Sequence, residues 1–154
     1  MRNVTVVLTS AALTAALHPE LAAAARRNIP ANSVESIKVK RYEGNPLIDF
    51  ESSESLGRNI NGPSVIRVPS WIKNPLGKYY MYFAHHKGKY IRLAYADDLK
   101  GPWKIHEPGT LHLEEAEAFK EHVASPDVHV DEKKKEIRMY FHGPARDRKG
   151  QWTG

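Results

Sequence analysis

Residues 62–65 (GPSV) are echoed by residues 125–128 (SPDV), 63 positions later, and this repeat decides the fold. A second echo follows in the same order, because residues 80–83 (YMYF) return as residues 138–141 (RMYF), 58 positions later. Each copy therefore predicts a strand led by proline, then a turn, and then a strand that ends in Tyr-Phe.

From about residue 60 onward, short β-branched and aromatic runs alternate with Gly, Pro, Asn and Asp, which is typical of strands and turns. The run at 79–86 (YYMYFAHH) is the most apolar and predicts a central strand with both faces covered. The other predicted strands of the first copy are 64–72, 90–97 and 103–106, with a tight turn at 87–89 and a loop at 107–109. Four antiparallel strands in about 60 residues have the size of one β-propeller blade.

The segment between the copies, residues 111–122, is acidic and predicts a connecting loop with a short helix. Leu113, Ala116 and Phe119 would lie on one side of it. The second copy passes through a basic turn at 145–149 and stops where the first copy enters its third strand. Because two blades do not close a ring, we expect either a fragment or a chain that completes itself by association, and the stop in mid-repeat favours a fragment.

The N-terminal stretch differs in composition from the rest of the chain. Arg2, an apolar run and small residues up to Ala25 predict a signal peptide over 1–25, followed by an extension over 26–59 and the repeat domain over 60–154. The apolar run is too short for a helix that spans a bilayer. We therefore expect a periplasmic or extracellular protein without a membrane span; a helical N-terminal tail is the alternative.

The composition excludes several classes of function. The chain has no cysteine, so disulfides, thiolate zinc sites and cysteine nucleophiles are absent. Its formal net charge is +5, but the basic residues are interleaved with acidic ones, and the lysine run 133–135 falls where a solvated hairpin turn is expected. No nucleic-acid partner is predicted.

Five stretches together resemble a known group of enzymes: NINGPSVI at 59–66, YYMYFA at 79–84, IRLAYADDLKGPW at 91–103, ASPDV at 124–128 and RMYFHG at 138–143. They are similar to the five-bladed β-propeller glycoside hydrolases of families 43, 32 and 68 and their relatives. The resemblance covers residues 45–154. It implies an all-β fold, an incomplete five-bladed β-propeller of about one and a half four-stranded antiparallel blades. It also implies an N-terminal fragment that lacks the C-terminal blades.

The resemblance implies hydrolysis of O-glycosidic bonds in poly- or oligosaccharides, which needs a pair of carboxyl groups. Asp127 matches the acid that orients the substrate and adjusts the pKa of the proton donor; alternatively, it caps the turn after Pro126. Gly62 stands where the family has its general base and cannot accept a proton. Asn61 is a candidate for binding a sugar hydroxyl, and Asp49 a candidate replacement for the base. The proton-donating glutamate would lie in a later blade.

Five further side chains are candidates for binding the sugar substrate. His85, His86 and His142 are expected at strand ends, where a histidine is more often a satisfied hydrogen-bonding group. His129 would share a strand face with Asp127 and form an acid and imidazole pair. Trp71 would stack on a sugar ring, although large aromatic residues in blades more often pack between sheets.

No cofactor is expected, with calcium left open. A divalent metal held by His129, Asp127 and His142 is conceivable, but nothing in their spacing demands it.

Three functions compete at this point. The first is a fragment of a carbohydrate-active hydrolase, which by itself is inactive. The second is a non-catalytic glycan-binding propeller, favoured by Gly62 in place of a base. The third is a structural repeat without a sugar ligand. In each case we expect the isolated chain to form oligomers or aggregates, because its sheet edges and apolar faces lack partners.

Overall fold

The computed structural model of the chain describes residues 38–147 and 149–153. The predicted signal peptide and residues 26–37 of the predicted extension lie outside the described residues. The described residues from Arg41 onward form one compact unit. The described part is all-β, as predicted, apart from a short 3-10 helix at Glu54–Leu56. It contains no helix that is long and apolar enough to cross a membrane.

The strands form two antiparallel sheets. The first sheet has the order β1-β2-β3-β4, and the second has the order β5-β6-β7. Their bounds are β1 Asn61–Arg67, β2 Tyr79–Ala84, β3 Tyr90–Ala96, β4 Lys104–His112, β5 Ala124–Asp131, β6 Glu136–Pro144 and β7 Gln151–Thr153. The short β7 follows the basic turn, at the place where the first copy enters its third strand.

The repeat seen in the sequence is also a repeat of backbone geometry. In the first sheet, Asn61 is opposite Ala84 and Ser64 is opposite Tyr82, so β1 carries one extra residue in a bulge. The second sheet has the same bulge between its first two strands, where Ala124 is opposite His142 and Asp127 is opposite Tyr140.

The two bulges place the same backbone conformation at equivalent positions. Gly62 (φ 60°) and Ser125 (φ 49°) both occupy the left-handed region. Ser64 of the first sheet therefore corresponds to Asp127 of the second, and Tyr82 corresponds to Tyr140.

The two sheets lie against each other through β1 and β5. The backbone N–H of Val128 donates to the Oγ of Ser64 over 2.9 Å. A Cβ on Gly62 would lie 3.0 Å from the Cα of Ser125, so the two bulges are in close contact. Glycine thus serves two needs at position 62, a left-handed backbone and a close approach.

Two clusters of buried side chains flank the first sheet. One lies between the sheets and includes Ile66, Tyr82 and Val128. The other lies on the opposite face, where Phe83 packs with Leu56 of the 3-10 helix. The predicted central strand β2 therefore has both faces covered, as expected.

A buried arginine, Arg92, holds the N-terminal segment in place, and it was not among the residues predicted to be important. The guanidinium of Arg92 donates to the carbonyl oxygens of Asn59 (2.9 Å) and Ser55 (3.3 Å). It also lies over the rings of Phe83 and Tyr90. These contacts hold the segment before β1 against the first sheet.

Several predicted strand bounds are wrong. The first strand begins at Asn61 instead of residue 64 and ends at Arg67 instead of residue 72, because Pro69 has no N–H to continue the ladder. The second ends at Ala84, so His85 and His86 lie in a turn. His142 lies inside β6 and does not end it.

The fourth strand is longer than predicted, and the loop at 107–109 is an irregularity within β4. Pairing with β3 breaks between Ile91 and Leu93 and resumes at Leu111. Gly109 (φ 69°) allows this, since a Cβ there would lie 2.6 Å from the carbonyl oxygen of Ile91. The sequence gives the turn residues but not the pairing on either side of them.

The predicted short helix within 111–122 is also wrong. The segment makes successive turns, in which Ala116 N–H donates to Leu113 and Phe119 N–H donates to Ala116. Ala116 and Phe119 are buried, and Leu113 packs against them, so the predicted apolar side is correct. The lysine run 133–135 is an exposed turn, as predicted.

Candidate functional site

Histidines from three elements gather at the end of the sheets where β1 and β5 begin. His86 is in the turn after β2, His122 lies two residues before β5, and His142 is in β6. The rings of His122 and His142 are nearly perpendicular, with centroids 6.4 Å apart. We call these three residues the histidine cluster.

The two histidines in the turn after β2, His85 and His86, have different surroundings. The Nδ1 of His85 accepts from the N–H of Lys87 over 2.9 Å, and its carbonyl accepts from Gly88. His85 therefore stabilises its own turn. The carbonyl of Gly88 accepts from the N–H of Val123, which joins this turn to the entry of β5. His86, next in the chain, is exposed beside that junction.

His122 was not predicted from the sequence. Its pKa is lowered from 6.5, first by burial and then by the charges of His142, His86 and Lys87, while Glu121 opposes the shift. At neutral pH the imidazole is therefore uncharged, with one donor and one acceptor nitrogen. A signal was present in the sequence: His122 stands immediately before the apolar start of the second proline-led strand.

Asn61 lies at the same end as the histidine cluster. Its Nδ2 donates to the Oδ1 of Asn59 over 3.0 Å, and the same oxygen accepts from the backbone N–H of His86 over 2.9 Å. The pair of asparagines thus ties the start of β1 to the turn that carries His86.

Asp127 and His129 lie together on the open face of the second sheet. The Oδ2 of Asp127 is 2.9 Å from the Nε2 of His129, which is the predicted acid and imidazole pair. The ring of His129 also packs edge-on against Tyr140, with centroids 5.9 Å apart. Asp127 belongs to β5 and not to a turn, so the alternative in which it caps a turn after Pro126 is wrong.

Trp71 lies at the opposite end of the sheets from the histidine cluster. Its Nε1 donates to the Oε2 of Glu132 over 2.9 Å. Trp71 follows β1 and Glu132 follows β5, so this bond links the two sheets beyond the ends of these strands. The structure does not bring Trp71 together with Asn61 or His86, and its role in binding a sugar stays a prediction.

The arrangement provides few groups for acid and base chemistry. Gly62 and Ser125, the residues before each proline, carry no carboxyl group. Asp49 is engaged in its own turn, where its Oδ1 accepts from Glu51 and Ser52. Residues 38–147 and 149–153 include no group of three His, Asp or Glu side chains that could hold a metal ion. The imidazole rings of the histidine cluster and the amide of Asn61 can instead form hydrogen bonds with a ligand.

Comparisons with known proteins give one informative match. An uncharacterized protein of Acanthamoeba polyphaga mimivirus is 44% identical to the chain over 100 residues, which are 54% of this chain and 28% of the viral protein. The chain therefore spans less than a third of the length of this relative. No family model matches the chain. No solved structure gives a significant match.

Proposed function

We propose that the chain forms one blade and part of the next blade of a carbohydrate-active five-bladed β-propeller and that its histidine end binds poly- or oligosaccharide. The observation that carries this proposal is the shared bulge of β1 and β5. Two sheets that repeat one geometry and touch through their first strands are the unit from which a propeller is built. In such an assembly the starts of the inner strands converge at one end of the axis.

The chemistry at that end suits a sugar ligand. Sugar hydroxyls both donate and accept hydrogen bonds, and so do a neutral imidazole and the amide of Asn61. The lowered pKa of His122 keeps the imidazole neutral at pH 7. The turn carrying His86 and the strand carrying His142 would bound the ligand on two sides.

We further propose that the longer protein hydrolyses O-glycosidic bonds, with Asp127 as one member of its carboxyl set. Hydrolysis of this kind needs two carboxyl groups across the scissile bond. The second would come from a later blade, so this chain alone is expected to be inactive. The proposal includes export to the periplasm or the cell exterior by means of residues 1–25.

A non-catalytic glycan-binding propeller is the second candidate. It is favoured by the absence of a carboxyl group at both Gly62 and Ser125. Turnover separates the two candidates: the longer protein would hydrolyse at least one of a panel of aryl glycosides under the first candidate. Under the second it would bind glycans without turnover.

Reading the DNA downstream of the Gly154 codon tests the architecture. We expect an open frame with three or more further proline-led repeats. A stop codon in the natural gene directly after Gly154 would contradict the proposed longer propeller.

Binding is tested on the chain itself with a glycan array, followed by calorimetry on the best ligand. We expect His142→Ala and His86→Ala to weaken binding by about tenfold each, which is the loss of one good hydrogen bond to the ligand. His106→Ala, in β4 and outside the cluster, is the matched control and should bind as the parent chain does. Equal binding by all three variants would place the ligand elsewhere.

A further inference from the structure

We infer that the open face of the second sheet binds a second copy of this chain, through the copy's first sheet, in the register that joins the two sheets within one chain. The inference rests on the pairing of sheets in the proposed function and not on its sugar chemistry. The occupant is a second copy because the chain itself carries the matching face, as equivalent residues of the two sheets show.

The first observation concerns two equivalent tyrosines. Tyr82 of the first sheet is 7% exposed and lies in the cluster between the sheets. Tyr140 occupies the same position in the second sheet, on the open face, and is 46% exposed. A large aromatic side chain in this position is thus buried where a neighbouring sheet is present and exposed where one is missing.

The second observation concerns the surface that would receive Tyr140. Within the chain, Tyr82 packs in a cluster that includes Val128 and Met139 of the second sheet. Their equivalents in the first sheet are Val65 and Met81. Val65 is 44% exposed, whereas Val128 is 6% exposed.

Val65 and Met81 line an apolar groove of about 350 Å³, together with Pro63, Phe83 and residues of the segment before β1. The groove has the apolar lining that Tyr140 needs, at the position that the repeat requires. It is the part of the outer face of the first sheet that the segment before β1 leaves accessible, beside Phe83, which packs with Leu56.

The third observation is a matched pair of polar groups. Ser64 accepts a hydrogen bond from the backbone N–H of Val128 across the sheets. Asp127 stands in the position of Ser64, and Val65 in the position of Val128. Oδ2 of Asp127 is 2.9 Å from Nε2 of His129. The same register therefore aims Oδ1 of Asp127 at the N–H of Val65 in the second copy, and a charged acceptor makes the stronger bond.

The contact is heterologous, because one copy contributes its second sheet and the other copy contributes its first sheet. Such a contact leads to open chains or rings and not to a closed two-fold dimer. Two variants, each of which damages one surface only, provide the test. Tyr140→Ser removes the inserted side chain, and Val65→Asp places a carboxylate in the groove opposite Asp127.

Sedimentation velocity over a concentration series is the measurement. The parent chain should show species larger than a monomer that grow with concentration. Each variant alone should weaken association by about tenfold or more, as loss of a buried aromatic anchor does. Leu99→Ser removes an equally exposed apolar side chain from the turn between β3 and β4 and should associate as the parent does.

An equimolar mixture of the two variants gives the decisive result. The Val65→Asp copy retains Tyr140, and the Tyr140→Ser copy retains the groove, so the mixture should form a one-to-one dimer and stop there. A mixture that stays monomeric, or a parent chain that is monomeric throughout, overturns the inference. The open face of the second sheet would then pack against a sheet other than one of a second copy. Circular dichroism melts of each variant show whether it is folded, and glycan binding by the folded monomer is scored separately.

Discussion

The backbone N–H of Val128 donates to the Oγ of Ser64 over 2.9 Å, and this bond joins the first strands of the two sheets. The serine belongs to the first proline-led motif, and the valine belongs to the second. The two copies of the repeat are therefore in direct contact through the residues that define them.

Loss of this bond should destabilise the chain. Ser64→Ala leaves the Val128 N–H without its acceptor at a partly buried site, which costs about 1 kcal/mol of unfolding free energy. Urea denaturation followed by circular dichroism measures the change. Ser70→Ala, in an exposed turn, should have no measurable effect, and a Ser64→Ala variant as stable as Ser70→Ala would show that the bond is not formed in solution.

Substitution of Gly62 should destabilise the chain through both backbone strain and a close contact. Gly62→Ala (φ 60°) carries strain of about 1 kcal/mol and places its Cβ 3.0 Å from the Cα of Ser125. Gly150→Ala (φ 98°) also has a positive φ but meets nothing within 4 Å, so it carries backbone strain alone. We expect a lower melting temperature for Gly62→Ala than for Gly150→Ala; the reverse order would contradict the close contact of the bulges.

The lowered pKa of His122 makes stability depend on pH. Below pH 6.5 the unfolded chain takes up a proton that the folded chain resists, so stability falls as the pH drops through 6.5 and stops falling below the folded pKa. Denaturation of His122→Gln between about pH 7 and pH 5 should show a smaller loss than the parent chain. His106→Gln should retain the parent's dependence, and an unchanged slope in His122→Gln would refute the assignment.

Arg92 should be essential for holding the segment before β1. Arg92→Met keeps much of the side-chain volume but leaves the carbonyl oxygens of Asn59 and Ser55 without their charged donor, at a cost of about 2 kcal/mol or more. Limited proteolysis should then cut the chain before β1 faster than in the parent. Arg58→Met, at an exposed position, should be cut at the parent's rate.

The repeat and the alternation of buried residues were predictable from the sequence. Proline and Tyr-Phe recur at equivalent places in the two copies. Ile66 is buried while Val65 points outward, which is the alternation expected along any strand. The paired position of Asp127 and His129 also follows from their spacing on one strand.

Other features depend on contacts between distant parts of the chain and were missed for that reason. The burial of His122 results from the packing of the turn at His86 against the entry of β5. Arg92 is an ordinary charged residue in the sequence, and only the fold places carbonyl oxygens around it. The length of β4 was underestimated because the residues at 107–109 favour a loop, whereas pairing with β3 resumes beyond them.

The central claim is that the two proline-led strands, β1 and β5, are equivalent and lie side by side. An NOE between the α-protons of Gly62 and Ser125 measures this most directly, recorded on the folded Tyr140→Ser variant to limit association. The account predicts a strong cross-peak, because the two bulges touch at these residues. A folded chain in which this cross-peak is absent while those between β1 and β2 are present would contradict it.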